Sequence, residues 1–220
     1  METQYSNCPN CQAKIKSGTI SNNEIITDEK KIRLIMEFTD FKGGTYCTRC
    51  YSTLIAKVKE IVSSRMVANE NKMRHLIDCI PVATIHSPLN WNYEVLGMVT
   101  GQSSVGTGVV SEVKSSFSDF FGGQSGTINR KLRSGEQLCL SQIRMNAVLM
   151  GGNAVIAADI DYSEFGGEKG IVTVCLSGTA IRLNNVEVLG SEKAAVIHEL
   201  TQTVEQLKYL EGVKLMAYQQ

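Results

Sequence analysis

No apolar run in this chain approaches the ~20 residues that a membrane-spanning helix requires, and no basic start, apolar core and small-residue cleavage site mark a secretory leader. Net charge is missing as well. The 22 Lys and Arg balance 22 Asp and Glu, so the chain exerts no global electrostatic pull on nucleic acid or on an anionic membrane. The three histidines, His75, His86 and His198, form no local constellation and read as surface or capping residues rather than catalysts. No serine or cysteine carries the flanking signature of a known nucleophile. After Gly101, Gly106 and Gly108 there is neither the Lys-Ser/Thr ending of a phosphate loop nor a closely following helix start, which leaves these glycines to turns and tight strand contacts. Gly122-Gly123 does precede an expected helix, whose N-terminal amides would suit an anion, but turn duty is the simpler role. Together these absences argue against an enzyme.

What the chain has is cysteine in pairs. Cys8-Pro9-Asn10-Cys11 and Cys47-Thr48-Arg49-Cys50 are two C-x-x-C knuckles separated by 35 residues. Within each, two sulfurs can reach one ion about 2.3 Å away while the backbone curls beneath them. Cys8, Cys11, Cys47 and Cys50 are therefore the expected ligands of one structural zinc per chain, a closed shell with no position left for a catalytic water. A redox or iron site and chance spacing are the alternatives. Cys79, Cys139 and Cys175 stand alone in apolar stretches, where a thiol behaves as a small hydrophobe. A reducing, cytoplasmic setting is the expectation.

A hydrophobic share of 43% over 220 residues allows one large domain or two small ones. Charge is divided: residues 1–74 hold 12 Lys and Arg against 8 Asp and Glu, and residues 75–220 hold 10 against 14. The expected order begins with a zinc ribbon at 1–52, with short strands around Lys31–Phe38. Such a module has little core, so metal would supply much of its folding free energy. A linking helix at 53–77 follows, with Leu54, Val58, Ile61 and Val62 at helical spacing. The region 78–187 reads as strands at Pro81–Ile85 and Tyr93–Gly101, a glycine- and serine-rich connection to Gly126, a helix from Ile128 to Met150 stopped by Gly151-Gly152, and a hairpin of Ala154–Tyr162 and Ile171–Ile181. A helix closes the chain at 188–220, with Ser191 as N-cap and a stripe of Val196, Leu200, Val204 and Leu207. The fold class is α+β with an antiparallel sheet.

Four pieces between Cys79 and Leu183 carry a family resemblance: Tyr93-Glu94-Val95-Leu96-Gly97-Met98-Val99-Thr100-Gly101, Asp119 to Gly123 with Gln124-Ser125, Met150-Gly151-Gly152-Asn153-Ala154-Val155-Ile156, and Ser177-Gly178-Thr179-Ala180-Ile181. In order and spacing they resemble the YbjQ-type family of bacterial proteins, which bears a heavy-metal-binding label. The resemblance implies a dodecin-like β-α-β-β protomer that assembles into rings, commonly pentamers, and it implies no established reaction. The metal label finds sparse ligands here: His86, Asp119, Asp159, Asp161 and Cys175 include no His/Cys pair at ligand spacing. Asp159 and Asp161 alternate on a strand and would share one face, suited to a hard cation or to a solvated sheet surface. Trp91 suits core anchoring better than a small-molecule or subunit contact.

The function expected from the sequence is a non-enzymatic, ring-forming assembly or adaptor protein with a zinc-ribbon partner site. A metal- or anion-sequestering protein using clefts between subunits is the alternative. A nucleic-acid-associated regulator ranks last, because aromatic residues are not interleaved with the basic ones near the N-terminus.

Overall fold

The computed structural model describes residues 5–16, 22–41, 43–106, 126–165 and 171–218. The chain divides into two compact units, one of Met1–Lys72 with Thr203–Gln220 and one of Met73–Gln202.

In the first unit, two short strands, β1 (Ile25–Ile26) and β2 (Tyr46–Cys47), pair antiparallel with Ile25 opposite Cys47. The segment between them is helical. Strands expected around Lys31–Phe38 are replaced by α1 (Glu29–Phe38), which opens where the Asp28 carboxylate accepts the N–H groups of Lys30 at 2.9 Å and Lys31 at 3.4 Å. The reason is periodicity on a tertiary surface. Leu34, Ile35 and Phe38 fall on one buried helical face while Glu29, Arg33 and Glu37 stay exposed, and that burial outweighs the strand propensity of Ile32 and Ile35.

Helix α2 (Thr48–Leu76) buries Tyr51, Leu54, Ile55, Val58, Val62 and Met66 along one stripe. The last helix, α4 (Ser191–Tyr218), begins in the second unit and ends in the first, where Leu207, Leu210, Val213 and Ala217 are buried. It is tied to its surroundings there by the Tyr209 hydroxyl, which donates to the Glu37 carboxylate, and by Lys59, whose Nζ lies 4.5 Å from the Tyr218 ring centroid. The cysteine segment falls in one compact unit with α1, most of α2 and the end of α4.

The second unit is built on β3 (Tyr93–Gly106), α3 (Gly126–Leu149), β4 (Ala154–Phe165) and β5 (Ile171–Leu183). The sheet runs β3-β5-β4, antiparallel throughout. Helix α3 covers one face, packing Cys139, Ile143 and Ala147 on Val99, Val155, Val174, Leu176 and Ala180. Two glycines permit that close approach. A Cβ on Gly101 would lie 2.4 Å from the Cys139 carbonyl oxygen, and one on Gly178 would lie 2.6 Å from Val155 Cγ1.

Helix α3 stops as the sequence implies. Gly151 takes φ +84°, its N–H bonds the Val148 carbonyl at 2.9 Å, and the Gly152 N–H bonds that of Ala147 at 2.8 Å, a Schellman arrangement. Asn153 then extends the ladder with its side chain, accepting the Leu183 N–H at 2.6 Å and donating to the Leu183 carbonyl at 3.0 Å.

The stretch Pro81–Ile85 is reduced from a full strand to one parallel bridge, Val82 with Val155. Its backbone still bonds Val155, Ala157 and Ala158 along the edge of β4. At that point β4 carries a bulge, and Ala157 adopts φ 51°. The expected glycine-rich connection from 107 onward and the Gly166–Gly170 turn lie outside the described residues.

Candidate metal centre

The first knuckle is a tight reversal. The Cys8 N–H bonds the Ala13 carbonyl at 2.8 Å, the Gln12 N–H bonds the Cys8 carbonyl at 2.9 Å, and Asn7 and Lys14 bridge antiparallel. Closing it places Gln12 at φ 58°, in the left-handed region that favours glycine. The second knuckle is built differently. Cys47 ends β2 and Cys50 lies in the first turn of α2.

The two knuckles bring their sulfurs together. All four Sγ atoms lie within 4.8 Å of one another, with Cys11–Cys47 at 3.7 Å, Cys47–Cys50 at 3.8 Å and Cys8–Cys50 at 4.0 Å. A tetrahedral ion with bonds of about 2.3 Å demands sulfur–sulfur edges of about 3.8 Å. The quartet therefore fits one four-coordinate thiophilic ion as it stands. Cys8 and Cys47 are buried, Cys50 is half-buried and Cys11 is exposed.

The thiols do not ionise alike. Burial raises Cys8, yet backbone N–H groups of Cys11, Asn10 and Cys47 aimed at its sulfur outweigh that and leave its pKa lowered. Burial, together with the neighbouring Cys11 and Cys47 side chains, pushes Cys50 up, against which the Asn10 amide acts alone. Four sulfurs at this spacing cannot all carry charge without a cation among them.

Two asparagines organise the site. Asn10 donates from Nδ2 to the Cys50 sulfur at 3.3 Å, crossing from one knuckle to the other. Asn23, buried, donates to the Lys14 carbonyl at 2.9 Å and accepts the Thr48 hydroxyl at 3.2 Å and the Arg49 N–H at 3.5 Å. Neither role is visible in the sequence, since an asparagine among turns is unremarkable until its partners are known.

The other candidates do not converge. Among the described residues, the cysteine quartet is the one group of three or more His, Cys, Asp or Glu side chains close enough to share an ion. Asp159 and Asp161 are exposed on β4 opposite Ser177 and Cys175, and an Asp161 oxygen accepts the neighbouring Tyr162 N–H at 2.9 Å. His75, His86 and His198 are exposed. Asp119 and the Gly122-Gly123 pair lie outside the described residues. Trp91 is half-buried against Ile156, Ile181 and Leu183, a core anchor. Cys139 is fully buried, its thiol donating to the Val174 carbonyl at 3.4 Å, and burial pushes its pKa up.

Residues 80–184 match the family model YbjQ, described as "Putative heavy-metal-binding". None of the four clustered cysteines lies inside that match. A crystal structure of a protein of unknown function of the DUF74 family from Pediococcus pentosaceus is similar over 48% of this chain and 98% of that one, at 17% identity and a TM-score of 0.35. Among the described residues, no helix is long and apolar enough to cross a membrane.

Proposed function

We propose that the chain is a non-enzymatic assembly or adaptor protein whose first unit is organised by one structural zinc on Cys8, Cys11, Cys47 and Cys50. The observation that carries the metal is the convergence of four sulfurs within 4.8 Å, with the Cys8–Cys50, Cys11–Cys47 and Cys47–Cys50 edges at 3.7–4.0 Å, close to the edge length of a tetrathiolate zinc site. Zinc is the ion of choice because four thiolates close its shell without any need for redox chemistry. The 80–184 domain is the self-assembling part, and a pentameric ring is the form proposed for it. Support comes from the similarity to the YbjQ family and from β3, an edge strand whose Val95 and Met98 are large, apolar and exposed. Part of that edge is already closed, because Gln142 accepts the Gln102 N–H at 2.7 Å and Asn146 donates to the Thr100 carbonyl at 2.8 Å. Subunit contacts are proposed for Glu94–Met98, the stretch that carries the exposed Val95 and Met98. A reducing cytoplasm is the proposed setting, since it keeps the thiolates available to metal.

Light scattering on purified protein, combined with elemental analysis, tests both halves. One zinc per chain and a mass near five chains are expected. A monomer at micromolar concentration ends the ring proposal, and a protein that holds no zinc ends the metal proposal.

A further inference from the structure

Beside the sulfur cluster lies an open cleft of about 530 Å³, bounded by Asn10, Cys11, Phe41, Arg49, Cys50 and Lys57 among others. Its position makes the cluster unlike a sealed structural site. The exposed Cys11 and the half-buried Cys50 form part of its wall, while Cys8 and Cys47 stand buried behind them. Arg49, Thr53 and Lys57 are spaced four apart, so α2 presents them as one stripe along the cleft. No carboxylate is among the described residues lining it.

The chemistry of that arrangement is specific. Four thiolates around a divalent ion leave a net dianion, and a dianion repels any anionic ligand approaching its metal. Two exposed cations, Arg49 and Lys57, on the wall that Cys11 and Cys50 share offset that repulsion and raise the local concentration of anions. The amide of Asn10, which donates to the Cys50 sulfur, also lines the cleft and draws charge from that thiolate.

We propose that the cleft is an exchange port, through which an anionic thiol- or carboxylate-bearing ligand removes or delivers the ion by direct attack. The incoming donor forms its bond to the metal as the Cys11–metal bond breaks. The electron pair of the broken bond stays on the Cys11 sulfur, and no oxidant or reductant takes part. Cys11 leaves first because it is the exposed ligand of the four. This inference rests on the zinc reading above and adds to it that the bound ion is exchangeable without unfolding.

The test uses the full zinc-loaded chain and two probes, an anionic polyaminocarboxylate chelator and a neutral polypyridyl chelator, with zinc release followed over time. The release rate is expected to rise in proportion to the concentration of either chelator. In R49E/K57E the rate with the anionic chelator is expected to fall about tenfold, and the rate with the neutral one to stay as it was. Zinc content of one per chain confirms that the variant folds. Thr53→Trp, which fills the cleft without changing charge, is expected to slow both chelators. A rate independent of chelator concentration overturns the proposal, because the ion would then leave only after the knuckles open. Equal slowing of both chelators by the charge reversal, or no effect of filling the cleft, also overturns it. If the chain retains no zinc at all, the failure belongs to the zinc reading itself, and elemental analysis before the kinetics separates the two.

Discussion

The hydroxyl of Thr48 donates to Oδ1 of Asn23 at 3.2 Å, and through that bond the second cysteine knuckle is held against the chain that leaves the first. Asn23 completes the link by donating to the Lys14 carbonyl at 2.9 Å. The two knuckles are thus held together by a buried amide, in addition to the ion proposed for them. Residues that orient metal ligands in this way affect affinity almost as strongly as the ligands do.

Asn23→Ala is expected to weaken zinc binding by about 10- to 100-fold, measured by competition with a chelator of known affinity. Asn23→Asp keeps the acceptor for Thr48 and loses the donor to Lys14, so it should fall between the two. Wild-type affinity in the alanine variant would show that the metal alone sets the knuckle geometry.

Removing zinc, or changing Cys8 and Cys11 to Ser, should release hydrogen-exchange protection throughout 5–72 and 203–218. A structural zinc contributes on the order of 10–16 kcal/mol of apparent binding free energy, more than a small helical core supplies. Residues 80–184 should stay protected, because their core of Val99, Ile143, Val155, Val174 and Ala180 includes none of the ligands. Simultaneous loss in both units would disprove independent folding.

Gln12 and Ala157 are non-glycine residues at φ 58° and φ 51°, each in a different unit. Left-handed backbone costs an L-residue about 1–2 kcal/mol, and glycine's greater entropy in the unfolded chain offsets part of any relief. Gln12→Gly should therefore raise the denaturation midpoint of the first unit, and Ala157→Gly that of the second. A decrease in either would mean that the lost side-chain contacts outweigh the relieved strain.

Gly101→Ala should destabilise the second unit by about 3 kcal/mol, because its Cβ meets backbone of α3 that cannot rotate aside. Gly178→Ala meets Val155 Cγ1 and Ile143 Cδ1, side-chain ends with more freedom, and should cost less. Urea denaturation of the two variants tests the order. The reverse order would place the tighter contact at the hairpin strand.

Tyr209 supplies a pH dependence. Its hydrogen bond to the Glu37 carboxylate, with burial adding to it, pushes its pKa up to about 12 from the usual 10. A pKa raised on folding means stability that is complete below pH 10 and lost as pH climbs toward 12. Tyr46 and Tyr162 are also pushed up, so the phenolate absorbance should show several tyrosines titrating late, and Tyr209→Phe should remove one of them while lowering stability at neutral pH by about 1 kcal/mol. Glu37→Gln should bring the titration back toward 10.

Much of this could be read locally. The C-x-x-C spacing marks four thiols able to meet, and their sulfurs do cluster, because sulfur reach and knuckle curvature act within four residues. The stripe of Leu54, Val58 and Val62 marks α2, and Gly151-Gly152 marks the end of α3, because helical period and left-handed caps are properties of neighbouring residues. The strand–helix–hairpin order of 93–183 follows for the same reason.

What lay beyond the sequence are pairings between distant residues. Lys31–Phe38 reads as strand by propensity and folds as helix, since the surface that buries Leu34, Ile35 and Phe38 comes from elsewhere in the chain. Tyr209 meets Glu37 across 172 positions, and that contact decides that the chain's last turns join its first unit. Asn23 acquires its role only when Lys14 and Thr48 close around it. The sequence by itself determined which residues can ligate, turn or form helices, because those are short-range chemistry. Only the tertiary structure decided how near the four sulfurs stand and which side of them faces a cleft, because both depend on burial shared among segments the chain keeps far apart.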